Sequence, residues 1–577
     1  QLFTMVICLS TCARALAKPQ RILSTPCRNF GTEGSAVERI IATGDLSDPP
    51  KDFNFTRDVI DYWAERENPL RAGELPALWF VQYGGGSATY TYTELSQRSR
   101  RIADAFRSSG LEKGDRLLLC LPKCAEYWLV VLAALRCGIE YCSVTTQATG
   151  RDLHYRIEQF DPKMVVSDKI SDVNEASEKS NVQFKVSVSN ESKGWLNLSN
   201  LISAAGDFEG HPTTLSDPML VFFTSGTTGK PKMAEHTNDY LLSHTRTARH
   251  FYDLHKSDVF LCMSDTGWAK AAYGAFPTWL MGACSFVDAT PRFDPHVTLA
   301  MLRDHPVTKF CAPPTIYRQL VKETTENFEF RALRDCVSAG EPLNPEAYHQ
   351  WQSLTGLSIR EGYGQSELNI IACTKAGAIV KPGSIGQPIE GFKLVVIDEN
   401  RRPVAQGEQG QLAISTAPTR PLGIMKCYRN DPDKTAEVFV DGYYLTGDKV
   451  YQDSDGYIWF VSRSDDVITS SGYRIGPFEI ENVLLEHPAV LESAVVGVPD
   501  PDRFEAVKAF VVLTQEYQGR RNDAELVTEL QTFVKERTAP YKYPRQLEFV
   551  TTLPKTMSGK IQRHVLRQKG RLAEKTK

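Results

Sequence analysis

The chain has 577 residues, 42% hydrophobic and 24% charged. That composition excludes a disordered or fibrous protein, and the length exceeds one compact core, so two or more domains are expected. The balance of 66 Lys+Arg against 70 Asp+Glu, a net charge of −4, lacks the strongly basic signature of a dedicated nucleic-acid binder.

In chain order, residues 1–32 hold no Asp or Glu, but they do hold Arg14, Lys18, Arg21 and Arg28 among Ser and Thr. This fits a mitochondrial presequence over 1–35. The competing reading is a secretory signal with an apolar core at Leu2–Ala13 and a cleavage site at Ala15-Leu16-Ala17. Against it, the positive charges follow the apolar run instead of preceding it. Sequons start at Asn54, Asn190 and Asn197 and are weak evidence for secretion, because such triplets arise by chance. Leu117–Leu121, Met164–Val166 and Leu220–Phe223 read as buried strands, and Tyr127–Leu135 as a buried helix. Strand–helix alternation over this length points to α/β layers with a largely parallel sheet. The 17 uncharged residues between Lys270 and Asp288 include Gly274, Pro277 and Gly282. They fall short of a membrane span and read as a buried helix and strand. Residues 394–460, with runs such as Gln411-Leu412-Ala413-Ile414, predict a small β-rich subdomain. Residues 535–577 hold 12 Lys+Arg and 3 Asp+Glu, which suits either a solvated terminal helix or a polyanion site. The 13 cysteines include no CxxC pair, and Cys120 and Cys124 have no second Cys/His pair at zinc spacing. Cys137, Cys142, Cys284 and Cys373 read as small buried hydrophobes in a reducing compartment.

The sharpest motif is Phe223-Thr224-Ser225-Gly226-Thr227-Thr228-Gly229-Lys230-Pro231-Lys232. An apolar strand runs into a loop whose small residues let backbone N–H groups approach phosphate oxygens, while hydroxyls and lysines add donors and charge. The spacing is not that of a Walker A loop, and a lone Ser/Thr/Gly loop is more often a linker. Further strings follow in order. They are Ser338-Ala339-Gly340-Glu341-Pro342-Leu343, Glu361-Gly362-Tyr363-Gly364-Gln365-Ser366-Glu367, Tyr444-Leu445-Thr446-Gly447-Asp448, Arg463-Ser464-Asp465-Asp466-Val467-Ile468, Ser471-Gly472-Tyr473-Arg474-Ile475 and Pro554-Lys555-Thr556-Met557-Ser558-Gly559-Lys560. Together they resemble the adenylate-forming superfamily of acyl-CoA synthetases, luciferases and peptide-synthetase adenylation domains. Lys232-Met233-Ala234-Glu235-His236, Ser264-Asp265-Thr266-Gly267-Trp268-Ala269-Lys270 and Thr538-Ala539-Pro540-Tyr541-Lys542-Tyr543-Pro544-Arg545 are similar to its mitochondrial medium-chain acyl-CoA synthetases. Three positions depart from the pattern: Ser366 replaces Thr, Ser462 stands where Gly usually precedes the arginine, and Phe504 stands where Gly often follows Arg503.

The resemblance implies an α/β fold. A large N-terminal domain (36–463) of layered α/β subdomains plus a small β-rich subdomain is followed by a small mobile α+β domain (464–577). It implies ATP, CoA and Mg²⁺, with a medium-chain or benzoate-like acid converted to acyl-adenylate and pyrophosphate, then to acyl-CoA and AMP. Because the first step joins two anions, catalysis rests on positioning and positive electrostatics. By resemblance, Lys560 is catalytic at the α-phosphate and also binds ATP. Thr224–Lys232 hold phosphates, Glu361–Ser366 line the ATP site with Tyr363 presenting its ring to adenine, Asp448 and Arg463 hold the ribose, and Glu367 is the Mg²⁺ ligand. Gly267, Trp268 and Ser366 border the acyl pocket, with Gly267 leaving room for the chain. Gln147, Ser471, Gly472, Tyr473, Arg474, Arg503, Lys535, Tyr543, Pro544 and Arg545 lie along CoA, and Asp465 is the hinge. The expected partners are these small molecules, with no nucleic acid and no transmembrane segment. The protein is expected in the mitochondrial matrix as a monomer or small homo-oligomer. The alternatives are an adenylating enzyme of another branch and a nucleotide-binding pseudo-enzyme.

Overall fold

The computed structural model describes residues 36–575 except 69–73, 149, 225–230, 324–328, 465, 471–472, 501–502, 522, 540 and 557–559; the side chains of Arg474 and of 571–575 are also outside the description. The chain forms two compact units. One comprises Gln1–Phe222, Glu235–Arg249 and Leu254–Phe293, and the other Phe223–Ala234, His250–Asp253 and Asp294–Lys577.

The first unit contains two groups of strands. One runs in spatial order Leu196–Asn197, Phe184–Ser187, Met164–Ser167, Arg116–Cys120, Glu140–Ser143, Pro218–Thr224, all parallel. The strands Arg116–Cys120, Glu140–Ser143 and Met164–Ser167 are buried almost throughout, as expected of parallel strands covered on both faces. The other group places Leu78–Val81 parallel to Cys284–Asp288, which is parallel to Val259–Cys262. The uncharged segment is the helix Ala269–Leu280 followed by Cys284–Asp288, as predicted. The predicted buried helix is Ala125–Cys137, with twelve of its residues buried. Helix Tyr92–Ser108 starts with a reciprocal cap: Thr91 Oγ1 accepts from Glu94 N at 3.1 Å and Glu94 Oε2 accepts from Thr91 N at 2.9 Å.

An ion network ties these helices together. Arg136, fully buried, donates to both Asp61 oxygens at 2.7 and 2.9 Å, and Arg100 adds a third bond at 2.9 Å. Burial pushes the Asp61 carboxyl up, but Arg136 and Arg100 outweigh it and hold the group below its usual range.

In the second unit, Lys309–Ala312, Asp335–Ala339 and Ile359–Gln365 are parallel, and Leu368–Cys373 returns antiparallel. An antiparallel sheet of Leu394–Ile397, Gly410–Ser415, Tyr443–Gln452, Phe439–Val440 and Ile458–Arg463 forms the β-rich segment expected over 394–460. Ser462 is buried in its last strand, opposite Lys449; extended backbone there needs no glycine. A third sheet, Tyr473–Ile475, Ile468–Ser470, Phe504–Leu513, Val490–Asp500 with Gln546–Val550, packs with helices Pro477–Leu485 and Ala524–Arg537 on a core of its own, which includes Ile475, Leu484, Val495, Val511 and Leu530.

The ten described cysteines are free thiols. Burial pushes Cys120 up to about 11 and Cys373 up to about 12, consistent with inert packing residues. Asn54 is buried and donates to Leu135 O at 2.9 Å, so the sequon there is inaccessible in the fold. No helix among the described residues is long and apolar enough to cross a membrane.

Candidate active site

The site grows from the return of one hairpin. Gly447 has φ +72°, and a Cβ there would lie 3.2 Å from Arg463 Nη2; glycine therefore accommodates both the backbone conformation and the arginine. Asp448 and Arg463 are directly paired across strands Tyr443–Gln452 and Ile458–Arg463. Arg463 Nη1 donates to Asp448 Oδ1 at 2.9 Å. Tyr363 O–H and Gln365 Nε2 both donate to Oδ2, the latter at 2.8 Å. Gln365 Nε2 also donates to Thr446 O at 2.8 Å, and its Oε1 accepts from Tyr444 O–H at 3.2 Å. Asp448 is 3% exposed, yet Oδ1 carries only the Arg463 contact among these bonds. The arginine itself is 41% exposed. Burial, then the Asp448 charge, pushes the Tyr363 phenol well up, so it stays a neutral donor. The structure thus unites Tyr363, Gln365, Asp448 and Arg463, drawn from three separate motifs.

Around Glu367 a second group forms. Its Oε1 accepts from Tyr428 O–H at 2.9 Å. Lys232 Nζ lies 5.5 Å from the Tyr428 ring centre. Burial, then the neighbouring Lys434 charge, lowers the Lys232 pKa, while Asp431 and Glu367 act in the opposite direction. The Glu367 carboxylate spends one oxygen on Tyr428. A Mg²⁺ held by one or two carboxylates plus phosphate oxygens needs no dedicated protein cage, so this donor fits the ion. No cluster of three or more His, Cys, Asp or Glu at metal spacing occurs among the described residues.

The other predicted positions fall as follows. Glu361 is buried; its carboxylate accepts from Leu343 N at 2.8 Å and Gly383 N at 3.1 Å. Burial pushes it up to about 8, against those two bonds. This side chain therefore braces loops behind the site. Gly362 packs on the Phe251 ring and Gly364 on the Asn369 carbonyl, where a Cβ would come within 2.6 and 2.8 Å respectively. Thr224 ends its strand, Lys232 opens the next, and Ser366 is half-buried. Ser225, Gly226, Thr227, Thr228, Gly229 and Lys230, with Asp465, Ser471 and Gly472, lie outside the described residues.

In the first unit a Cβ on Gly267 would meet Thr145 N at 2.0 Å. The room expected beside Trp268 is therefore occupied: the glycine permits two backbones to touch and opens no space for an acyl chain. Trp268, half-buried, caps helix Ala269–Leu280. Thr266 and Lys270, on either side of it, line a cleft with Lys123, Trp128, Gly274 and Asp288. Gln147 is exposed, and its N–H donates to Thr145 Oγ1 at 3.2 Å.

Lys560 is exposed; its N–H donates to Thr556 Oγ1 at 3.1 Å and its carbonyl accepts from Thr556 N at 2.7 Å. Of the expected CoA residues, Lys535 and Arg545 converge on the Tyr543 ring at 5.7 and 4.3 Å. Pro544 O accepts from Gln531 at 3.0 Å. Arg503 Nη1 lies 3.7 Å from Asp500. Tyr473 stacks on Tyr541 with centroids 4.1 Å apart.

Sequence reasoning gave no role to Tyr428, Tyr541, Arg563 or Arg567. Tyr428 lies in a three-residue strand, Cys427–Arg429, with no motif around it. Arg567 donates to Asp466 at 2.9 Å, and Arg563 donates to both Glu481 oxygens at 2.8 and 2.7 Å. These pairs span 101 and 82 residues, and no local pattern marks them.

Comparison with known proteins places this geometry. The AMP-binding enzyme family matches residues 66–429, and its C-terminal domain matches residues 479–560. The chain belongs to the AMP-binding enzyme family. This AMP-binding enzyme is 45% identical over 526 residues to the human protein named acyl-coenzyme A synthetase ACSM4, mitochondrial, covering 90% of each chain. It is 41% identical to mouse acyl-coenzyme A synthetase ACSM3, mitochondrial, over 96% of this chain and 97% of the mouse one. Among solved structures it is similar to the anthranilate CoA ligase AuaEII in complex with anthranoyl-AMP (TM-score 0.82, 26% identity, 92% and 100% coverage). It is also similar to a benzoate CoA ligase from Burkholderia xenovorans LB400 (TM-score 0.77, 30% identity, 89% and 100% coverage).

Proposed function

We propose that this AMP-binding enzyme joins a medium-chain or benzoate-like carboxylic acid to CoA through an acyl-adenylate, in the mitochondrial matrix. The observation that carries the reading is the Asp448 cluster. A buried carboxylate held by Arg463, Gln365 and Tyr363 keeps acceptor capacity on one oxygen, which suits a ribose hydroxyl. Relatives named mitochondrial acyl-CoA synthetases, and neighbours titled CoA ligases for benzoate and anthranilate, support the acceptor, the acid class and the compartment.

In the first half-reaction the carboxylate oxygen attacks the α-phosphorus and pyrophosphate leaves. In the second the CoA sulfur attacks the acyl carbon, its proton is lost and AMP leaves. Both need positive charge held in place before reaction. Lys560 supplies it at the α-phosphate, Lys232 and the 224–232 loop at the β- and γ-phosphates. Glu367, oriented by Tyr428, would hold Mg²⁺, which neutralises triphosphate charge when bound. Lys535, Arg545 and Arg503 supply charge to the CoA phosphates, with Tyr543 between the first two. We assign the domains to 36–463 and 464–577, with Asp465 as the pivot that exchanges the two half-reactions. The self-contained core over 468–566 supports that division.

The test is pyrophosphate release with Mg-ATP across a C2–C16 and benzoate panel, with and without CoA. Sustained CoA-dependent turnover peaking at C4–C10 or benzoate is expected. Release indifferent to CoA would transfer the assignment to another adenylating enzyme, and no release with any acid would refute it.

A further inference from the structure

Phe504 combines two features that a packing residue does not have. Its φ is +70°, in the left-handed region that disfavours side chains with a Cβ. It is also 76% exposed, so no burial offsets the strain. Its neighbour shows that the strand is firmly held here. Glu505 Oε2 accepts from Thr469 N at 2.7 Å, and its carboxylate packs where a Cβ on Gly497 would lie, at 2.7 Å. Glu505 is turned in, whereas Phe504 stands in solvent. A sterically costly, outward aromatic on a fixed strand is the kind of outlier that marks a ligand contact.

What surrounds it indicates the ligand. Ser470 pairs with Tyr473 on one side and Phe504 on the other, so the three form a row across adjacent strands. Tyr473 is half-exposed and stacked on the exposed Tyr541, with rings 11° from parallel. Arg503 precedes Phe504 directly. Exposed flat rings with an arginine adjacent in the chain are the chemistry that recognises a nucleobase carrying phosphates.

We infer that Phe504 is the stacking surface for the adenine of CoA and sets the enzyme's selectivity for the complete nucleotide-bearing thiol over its bare thiol arm. This rests on the CoA-ligase reading above.

The experiment compares the full chain with Phe504→Gly and Phe504→Trp, measuring KM for CoA and for 4′-phosphopantetheine, which keeps the thiol arm and lacks the adenosine. Phe504→Gly is expected to raise KM for CoA about tenfold, the size of one lost base–aromatic stack. KM for 4′-phosphopantetheine should stay within about twofold, and the thermal midpoint should hold or rise, since glycine adopts φ +70° without strain. Phe504→Trp should keep the wild-type KM for CoA. An unchanged KM for CoA in Phe504→Gly, an equal rise for both thiols, or a lowered midpoint would each overturn the inference. Failure of the ligase reading would be seen separately, as wild-type pyrophosphate release that ignores CoA.

Discussion

Asp448 fixes Arg463, Gln365 and Tyr363 with one buried carboxylate, and in the proposed function the same group offers an acceptor to the nucleotide. Asp448→Asn replaces an acceptor by a donor facing donors. We expect KM for ATP to rise roughly ten- to a hundredfold, the range for a lost charged hydrogen bond, with KM for CoA unchanged; initial-rate kinetics check this. Lys560 is different in kind, an exposed side chain on a loop closed by Thr556. Lys560→Ala is expected to slow adenylation by on the order of 10²–10³-fold, as removal of one preorganised donor does, while thioesterification of added acyl-adenylate stays within a few-fold. Equal loss in both half-reactions would count against its role.

At the scale of elements, the helices of the first unit are pinned by buried polar groups that invite direct tests. Arg136→Met leaves Asp61 with Arg100 as its one remaining cation, beside the Ser96 hydroxyl, and we expect a loss of about 3–5 kcal/mol, read from urea unfolding. His244, fully buried in helix Asn238–Arg246, lies against the rings of Tyr240, Tyr273 and Phe276. Burial, then His236, brings it down to about 3. The unfolded chain therefore binds a proton that the folded one refuses. Stability is complete above pH 6.5 and falls as pH drops toward 3, by on the order of 3–5 kcal/mol from this group. His244→Phe should flatten that part of the pH–stability curve. Much of the architecture was legible in the sequence at this scale. Continuous apolar runs such as Leu117–Leu121 marked strands covered on both faces, and the uncharged 271–287 segment divided into helix and strand as expected. The site was legible where a motif is also a contact, as at Asp448, Gln365 and Tyr363. It was illegible where glycine has two explanations: Gly267 read as space for substrate, but it is where two backbones meet. Glu361, inside a nucleotide motif, is spent on the amides of Leu343 and Gly383, a partnership no string of residues displays.

For the whole molecule, the proposed two-step reaction makes one covalent pivot control two chemistries. Proline at Asp465 fixes φ; we expect the Asp465→Pro chain to fold and to release pyrophosphate in a single round, but to lose multiple turnover. Full turnover by that variant, measured beside its circular dichroism, would refute the pivot. The inward-facing acids beyond it carry a consequence for how the chain is made. Asp466 and Glu481 emerge from the ribosome 101 and 82 residues, respectively, before the arginines that neutralise them. Until the helix Arg563–Lys575 exists, both carboxylates face an interior they cannot enter unpaired. The segment after Arg463 therefore completes its charge pairing only once the last helix has been made, and a translational pause before codon 563 is expected to leave that segment open to proteolysis.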